Sequence, residues 1–239
     1  MLREVRAEIH DPRSLQDQPL LPLLETGVEV MKILVACEYS GRVRSAFRNL
    51  GHDAWSCDIQ PSEDDSEYHL ERDVEEMLQF GWDMMIAFPP CTYLSRAGAR
   101  WLYPSGQLDE RRFAQLQDSR DFFLTLLNAP IPRIAIENPT PFKIAGLPPE
   151  SQIIQPYQFG DPYTKRTLLW LKGLPQLIPT DIVEPRAPWI ASNTGGKVRK
   201  QKSHCGAAKD QKDRSRTFHG IADAMARQWS NPVTLERFL

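Results

Sequence analysis

Residues 32–58, KILVACEYSGRVRSAFRNLGHDAWSCD, decide the fold. They open on a short aliphatic run, Lys32–Cys37, of the kind that fills a buried parallel strand. Glu38–Gly41 reads as a turn. Val43, Ala46, Phe47 and Leu50 then recur at helical spacing, and Gly51 marks the helix stop. Ala54–Ile59 reads as a second strand, ending at the acidic Asp58. Strand, helix and strand in this order form the first unit of an α/β sheet.

The pattern continues outward. After an acidic loop, a short helix is predicted around Val74–Phe80. Asp83–Phe88 (DMMIAF) is another strand and runs into Pro89-Pro90-Cys91. Residues 109–128 read as a long amphipathic helix with Phe113, Leu116, Phe123, Leu124 and Leu127 among its apolar positions. Arg133–Ile136 is a strand ending in Glu137-Asn138-Pro139, and Thr167–Leu171 is one more. The expected fold is α/β, a Rossmann-like, mostly parallel sheet with helices on both faces. Functional side chains in such folds gather at the carboxyl ends of strands, where the acids and cysteines just named fall.

The chain's two ends read differently. Residues 1–30 hold Pro12, Pro19 and Pro22, lack a clean period and do not form a signal peptide. They are expected to be a poorly ordered leader, with Met31 the functional start. Residues 31–174 are expected to form the catalytic core. Between residues 175 and 216 regular patterning dissolves into prolines, glycines and basic residues. Lys197, Arg199, Lys200, Lys202, Lys209, Lys212, Arg214 and Arg216 stand against Asp210 and Asp213. This stretch is read as a basic irregular loop, either a solvated linker or a minimal recognition region able to contact phosphates. Residues 217–239 are expected to return to the core, with Ile221–Trp229 helical.

Composition narrows the class. Hydrophobic residues make up 41% and charged residues 25% of the chain, ordinary values for a globular protein. No apolar run approaches the roughly 18 residues of a membrane span. The net charge of −2 rules out a polyanion binder by bulk charge alone. Cys37, Cys57, Cys91 and Cys205 form no CxxC pair, which argues against a disulfide framework or zinc site and for reduced thiols, with no metal expected.

The chemistry is read from four places. There is no GxGxxG, so a pyrophosphate-bearing dinucleotide is disfavoured. A strand, a turn with one glycine, a helix and a strand ending in an acid suit a plain nucleoside. Gly41 would let backbone approach it, Asp58 would accept from two ribose hydroxyls, and Ile59 would pack on a purine. The alternative is that Asp58 is only a loop acid. Cys91 follows two prolines at a strand end, on a stiff backbone suited to a positioned nucleophile; the alternative is a buried structural cysteine. Cys91 and Arg96 are one residue too close for a phosphatase loop. Glu137 is either a proton donor with a pKa raised by burial or a capping acid. Arg166, beside Lys165, is a candidate anion or base contact.

In order and spacing these pieces resemble the cytosine carbon-5 DNA methyltransferases. Trp82–Gly98 (WDMMIAFPPCTYLSRAG) looks like that family's strand, Pro-Pro-Cys nucleophile and following loop. Ile136–Pro139 (IENP) stands where the family has Glu-Asn-Val, and Phe159–Leu171 resembles its Gly-x-Pro-Gln-x-Arg-x-Arg entry. The resemblance implies a class I methyltransferase fold and S-adenosylmethionine as cofactor. Cysteine after Pro-Pro argues against the amino-methylating relatives. In the implied reaction the Cys91 thiolate adds to cytosine carbon 6, so that carbon 5 accepts the methyl group. Glu137, with Lys165 and Arg166, would serve the base.

The implied cofactor site takes in Cys37, Glu38, Tyr39, Ser40 and Gly41 from the first loop, Asp58 and Ile59, Asp73 and Val74 from a segment like the family's Gly-Asp-Ile, and Pro89. Ser95, Arg96, Lys197, Arg199, Lys200 and Lys202 would contact DNA, duplex or single-stranded. Alignment by proline places Tyr163 at the family's Gln, Lys165 at its first Arg and Thr167 at its second, with Arg166 one place off. The region after Leu174 is far shorter than the family's target-recognition domain, which implies relaxed recognition or a target other than long duplex. A free pyrimidine nucleotide as substrate and a catalytically inactive DNA- or protein-binding module are the competing readings. The expected setting is the cytoplasm of a bacterium or phage-infected host, in a restriction-modification role.

Overall fold

The computed structural model describes residues 29–190, 207–208 and 210–230. Its elements are β1 (Lys32–Ala36), α1 (Arg42–Asn49), β2 (Asp53–Asp58), β3 (His69–Glu71), β4 (Met84–Ala87), α2 (Ala99–Leu102), α3 (Glu110–Leu127), β5 (Arg133–Asn138), β6 (Gln152–Ile154), β7 (Tyr163–Thr164), β8 (Thr167–Lys172), β9 (Ala187–Pro188), α4 (Gln211–Ser215) and α5 (His219–Trp229). A seven-stranded sheet runs β3-β2-β1-β4-β5-β8-β6, while β7 and β9 pair separately. β3, β2, β1, β4 and β5 are mutually parallel, and β8 is antiparallel to both β5 and β6.

Each central strand splits its aliphatic residues between two cores, as the two-residue period of a strand requires. Ile33, Val35, Met84, Ile86 and Ala135 pack with Val43 and Phe47 of α1 and with Ile221, Met225 and Trp229 of α5. Leu34, Ala36, Met85, Ala87, Ile134 and Ile136 face the other way, against Leu116, Phe123 and Leu126 of α3. Helices therefore cover both faces, which is why these strands lack polar alternation. Phe123 meets Trp170 of β8 edge to face at 5.0 Å. This is the expected α/β fold, a Rossmann-like, mostly parallel sheet with helices on both faces, its last strands reversed.

The strand order turns around between β1 and β4, so the crevice at their carboxyl ends is the natural ligand position. Register sharpens this. Ala36 lies opposite both Cys57 and Ala87, and Ala87 lies opposite Ile136. The next residues along, Cys37, Asp58, Phe88 and Glu137, therefore emerge together along one edge of the sheet.

Several elements differ from the sequence reading. The segment expected as a helix around Val74–Phe80 is a short 3-10 turn, Val74–Met77. β5 runs on through Glu137 and Asn138 because these pair with Leu169 and Leu168 of the antiparallel β8. In the stretch read as irregular, Ala187 and Pro188 pair with Tyr163 and Thr164, and residues 211–215 are helical. On α3, Phe113, Leu124 and Leu127 are only partly buried, while Leu126 is fully buried.

Candidate active site

Cys91 begins a loop that is laced to the segment following Glu137. Ser95 N–H donates to the Cys91 carbonyl (2.9 Å), Arg96 N–H to the Thr140 carbonyl (3.0 Å) and Phe142 N–H to the Leu94 carbonyl (2.8 Å). Ser95 and Pro141 form an isolated antiparallel bridge. Leu94, with no exposed surface, pins the loop to the α3-side core. The thiol and carboxyl thus come from two strand ends held at fixed separation by backbone hydrogen bonds.

The electrostatics of the two groups are linked. Residue 91 is exposed as a whole, but the walls beside its sulfur strip enough water to raise the thiol pKa; the nearby Glu137 carboxylate raises it further, and Lys165 pulls it down. Burial of the Glu137 carboxyl raises its pKa too, against an opposing pull from Lys165. Lys165 reaches this place because β8 runs backwards: the amino end of β8 lies beside the carboxyl end of β5. Its ammonium donates to the Arg214 carbonyl at 3.1 Å, tying the cation to the end of α4. Arg166 does not join this group. It is exposed, with its guanidinium 3.9 Å from Glu150.

Asn138, fully buried next to Glu137, donates from Nδ2 to the carbonyl of the buried Pro89 at 3.5 Å. Its Oδ1 has no partner among the described residues. This contact holds the proline ahead of the Cys91 loop against β5. Pro89 is thereby a support of the loop.

The other half of the crevice is built from the first loop. Cys37 has φ +57, and burial raises its thiol pKa, with the nearby Asp58, Cys57 and Asp73 adding to the rise. Asp58 is half-buried, its pKa raised by desolvation, and one of its oxygens accepts from Gln60 N–H at 2.9 Å. Ile59 beside it is 76% exposed, an apolar side chain presented to solvent at the strand end. Asp73 is exposed and caps its 3-10 turn by accepting from Glu75 N–H at 3.0 Å. The side chain of Val74 belongs to the core with Met77, leaving its backbone alone to meet a ligand.

Glu38 and Gly41 have structural partners that the sequence did not disclose. The Glu38 carboxylate is buried and takes Val43 N–H at 2.8 Å and Arg44 N–H at 3.3 Å, capping α1 in place of its N-cap glycine. Ser40 adds a hydroxyl hydrogen bond to the same carboxylate at 3.3 Å. Gly41 sits at φ +69, and the space beside its Cα is filled by the Arg44 guanidinium and the Asp64 carboxylate. Backbone openness there serves the buried Arg44, which donates to Ser56 Oγ at 2.7 Å and pairs with Asp64. An arginine on the apolar side of a short helix, with a serine in the next strand, was the signal available for this network.

The returning chain closes over the first loop. Tyr39 OH and Ser215 Oγ share a hydrogen bond of 2.8 Å, and Arg42 donates to the Thr217 carbonyl at 2.8 Å. Arg216 pairs with both Glu63, at 2.7 Å, and Asp213, at 2.5 Å. This basic residue is therefore spent inside the fold. Tyr163, Trp189 and Phe218 pack together, with centroids 4.8 Å and 4.9 Å apart for Tyr163–Trp189 and Trp189–Phe218.

Of the expected nucleic-acid contacts, Ser95 is buried and caps a 3-10 turn, accepting from Ala97 N–H at 3.2 Å, whereas Arg96 is exposed. Lys197, Arg199, Lys200 and Lys202 lie outside the described residues. Among the described residues no cluster of three or more His, Cys, Asp or Glu side chains is placed to hold a metal, and no helix is long and apolar enough to cross a membrane.

No protein-family model matches the chain, and no curated protein does. Solved structures do. The chain is similar to the Entamoeba histolytica methyltransferase EhMeth, at 14% identity and TM-score 0.44, over 65% of this chain and 58% of that one. It is also similar to a prophage-encoded E. coli protein assigned as a DNA modification methyltransferase, at 15% identity and TM-score 0.41, over 64% and 52% of the respective chains. It thus spans a little over half the length of each.

Proposed function

We propose that this chain is an S-adenosylmethionine-dependent methyltransferase that modifies carbon 5 of cytosine in DNA, with Cys91 as nucleophile. The observation that carries the reading is the union of Cys91, Glu137 and Lys165 at one strand-end site, beside the crevice formed by Cys37, Asp58 and Asp73.

The crevice fits a nucleoside-bearing donor. Asp58 has carboxylate capacity left for ribose hydroxyls, and the exposed Ile59 offers an apolar surface for a purine. When bound there, S-adenosylmethionine supplies the methyl group. The remaining chemistry belongs to the side chains. Cys91, as thiolate, adds to ring carbon 6, and the electron pair displaced from the ring double bond makes carbon 5 nucleophilic. Burial favours the protonated form of Glu137, which hydrogen-bonds ring nitrogen 3 and draws charge from carbon 6. Lys165 lowers the thiol pKa and so favours the attacking form. After carbon 5 is methylated, a solvent base takes its proton, the electrons of that bond re-form the ring double bond, and the bond from carbon 6 to sulfur breaks to release Cys91 as thiolate. In a duplex the base must first leave the stack, at a cost of a few kcal/mol.

The test is incubation with methyl-tritiated S-adenosylmethionine and DNA, followed by base analysis. Label is expected in 5-methylcytosine. Cys91→Ser is expected to abolish transfer while cofactor affinity stays within a few-fold. Asp58→Ala is expected to weaken cofactor binding by about tenfold, the scale of a hydrogen bond to a charged group. Label appearing only in a free nucleotide would move the substrate away from DNA, and label absent from every substrate would leave a binding module.

A further inference from the structure

We infer that the surface formed by α2 and the start of α3 is a single-stranded DNA platform, with Trp101 stacking on an unpaired base next to the target. This rests on the proposed reaction and names the form of its substrate. Trp101 is 58% exposed and Tyr103 38%, on the segment that follows the nucleophile loop. A large aromatic left in water on an ordered helix is an unused contact area.

The charge around it is complementary to phosphates. Residues 92–112 carry Arg96, Arg100, Arg111 and Arg112 against Asp109 and Glu110, in a chain whose net charge is −2. Asp109 is committed to capping α3 through Arg112 N–H at 2.7 Å. Arg100 lies 4.7 Å over the Trp101 ring and Arg112 4.2 Å over the Tyr93 ring, so guanidinium and aromatic planes are already interleaved. Arg112 also donates to the Thr92 carbonyl at 2.9 Å, which anchors the platform to the residue following Cys91. A cavity of about 380 Å³ opens here, lined by Thr92, Trp101, Asp109, Arg111, Arg112 and Gln115.

Single strands fit this surface better than duplex does. In a duplex the base faces are hidden by stacking, so an exposed indole gains little from them. In a single strand every base offers a face, and backbone phosphates follow within reach of the arginines.

The experiment is fluorescence anisotropy of the full-length protein without cofactor, titrated against a labelled single-stranded oligodeoxynucleotide, its duplex and the matching RNA strand. Single-stranded DNA should bind tightest. Trp101→Ala should weaken it roughly tenfold or more, the usual effect of removing one aromatic ring stacked on a base, and Trp101→Phe should restore most of that affinity. Arg100→Gln with Arg111→Gln should flatten the salt dependence, by about 0.7 in the logarithmic slope for each phosphate no longer neutralised. Unchanged binding by Trp101→Ala, or equal or tighter binding of duplex or RNA, overturns the inference. Scoring methyl transfer on the same preparations separates the two proposals. Trp101-dependent binding without transfer leaves the platform standing and removes the reaction. Transfer undiminished by Trp101→Ala, with unchanged affinity, removes the platform and leaves the reaction.

Discussion

The sulfur of Cys91 lies between two charges of opposite effect. Glu137 raises its pKa and Lys165 lowers it. Glu137→Gln is therefore expected to shift the thiol titration to lower pH and Lys165→Met to higher pH, read as the pH profile of iodoacetamide alkylation at Cys91. The same Glu137→Gln change should cut methyl transfer by about 10²–10⁴-fold, the range for loss of a positioned acid. Its effect on stability has the opposite sign. Burial raises the Glu137 pKa in the fold, so the favoured form is protonated. The resulting stabilisation is fully present below the unfolded carboxyl pKa, about 4.3, and is lost as pH rises through the folded value. An amide at this position has no such loss. The melting temperature of Glu137→Gln should exceed that of the parent at alkaline pH, and the gap should close in acid.

At the scale of elements, α1 shows how a short helix is held in place by groups outside it. Its N-cap is a glycine that makes no side-chain bond, and the capping falls to Glu38. Glu38→Ala should cost about 0.5–2 kcal/mol in urea unfolding, as removal of a cap does, and Glu38→Gln less, since it keeps an acceptor. Gly41→Ala should cost about 1–3 kcal/mol, because φ +69 is unfavourable for a side chain and the new Cβ would displace the Arg44 guanidinium. The central strands and α1, α3 and α5 were legible because long aliphatic runs and helical spacing carry their own period. β3, β6 and β9 were not. Each has two or three residues, and their pairing is decided by the strand alongside, which local pattern does not contain. The 3-10 turn at Val74–Met77 was mistaken for a helix because so short a segment shows the same apolar spacing in either form.

Over the whole molecule, α5 closes the sheet face that α1 begins. Gly220 makes this fit possible: a Cβ there would fall on the Phe159 carbonyl. Gly220→Ala should push α5 off Phe159 and destabilise the protein by about 1–3 kcal/mol, the usual cost of overpacking, measured by urea denaturation. The positions of Cys91, Glu137 and Asp58 were readable because acids and cysteines directly after aliphatic strands mark the carboxyl edge of a parallel sheet. The structural duties of Glu38, Ser95 and Arg44 were not readable, since a cap or buried ion pair depends on which backbone groups arrive beside it. Trp101 and its arginines were visible as residues, but not as a surface until α2 turned the indole outward.

The reversal of β8 decides which end of that strand meets the Cys91 and Glu137 side chains. Lys165, two residues ahead of β8, acts on both of those side chains, while Arg166 stands beside Glu150. A parallel strand in place of β8 would carry the residues ahead of it to the opposite edge of the sheet, away from the thiol.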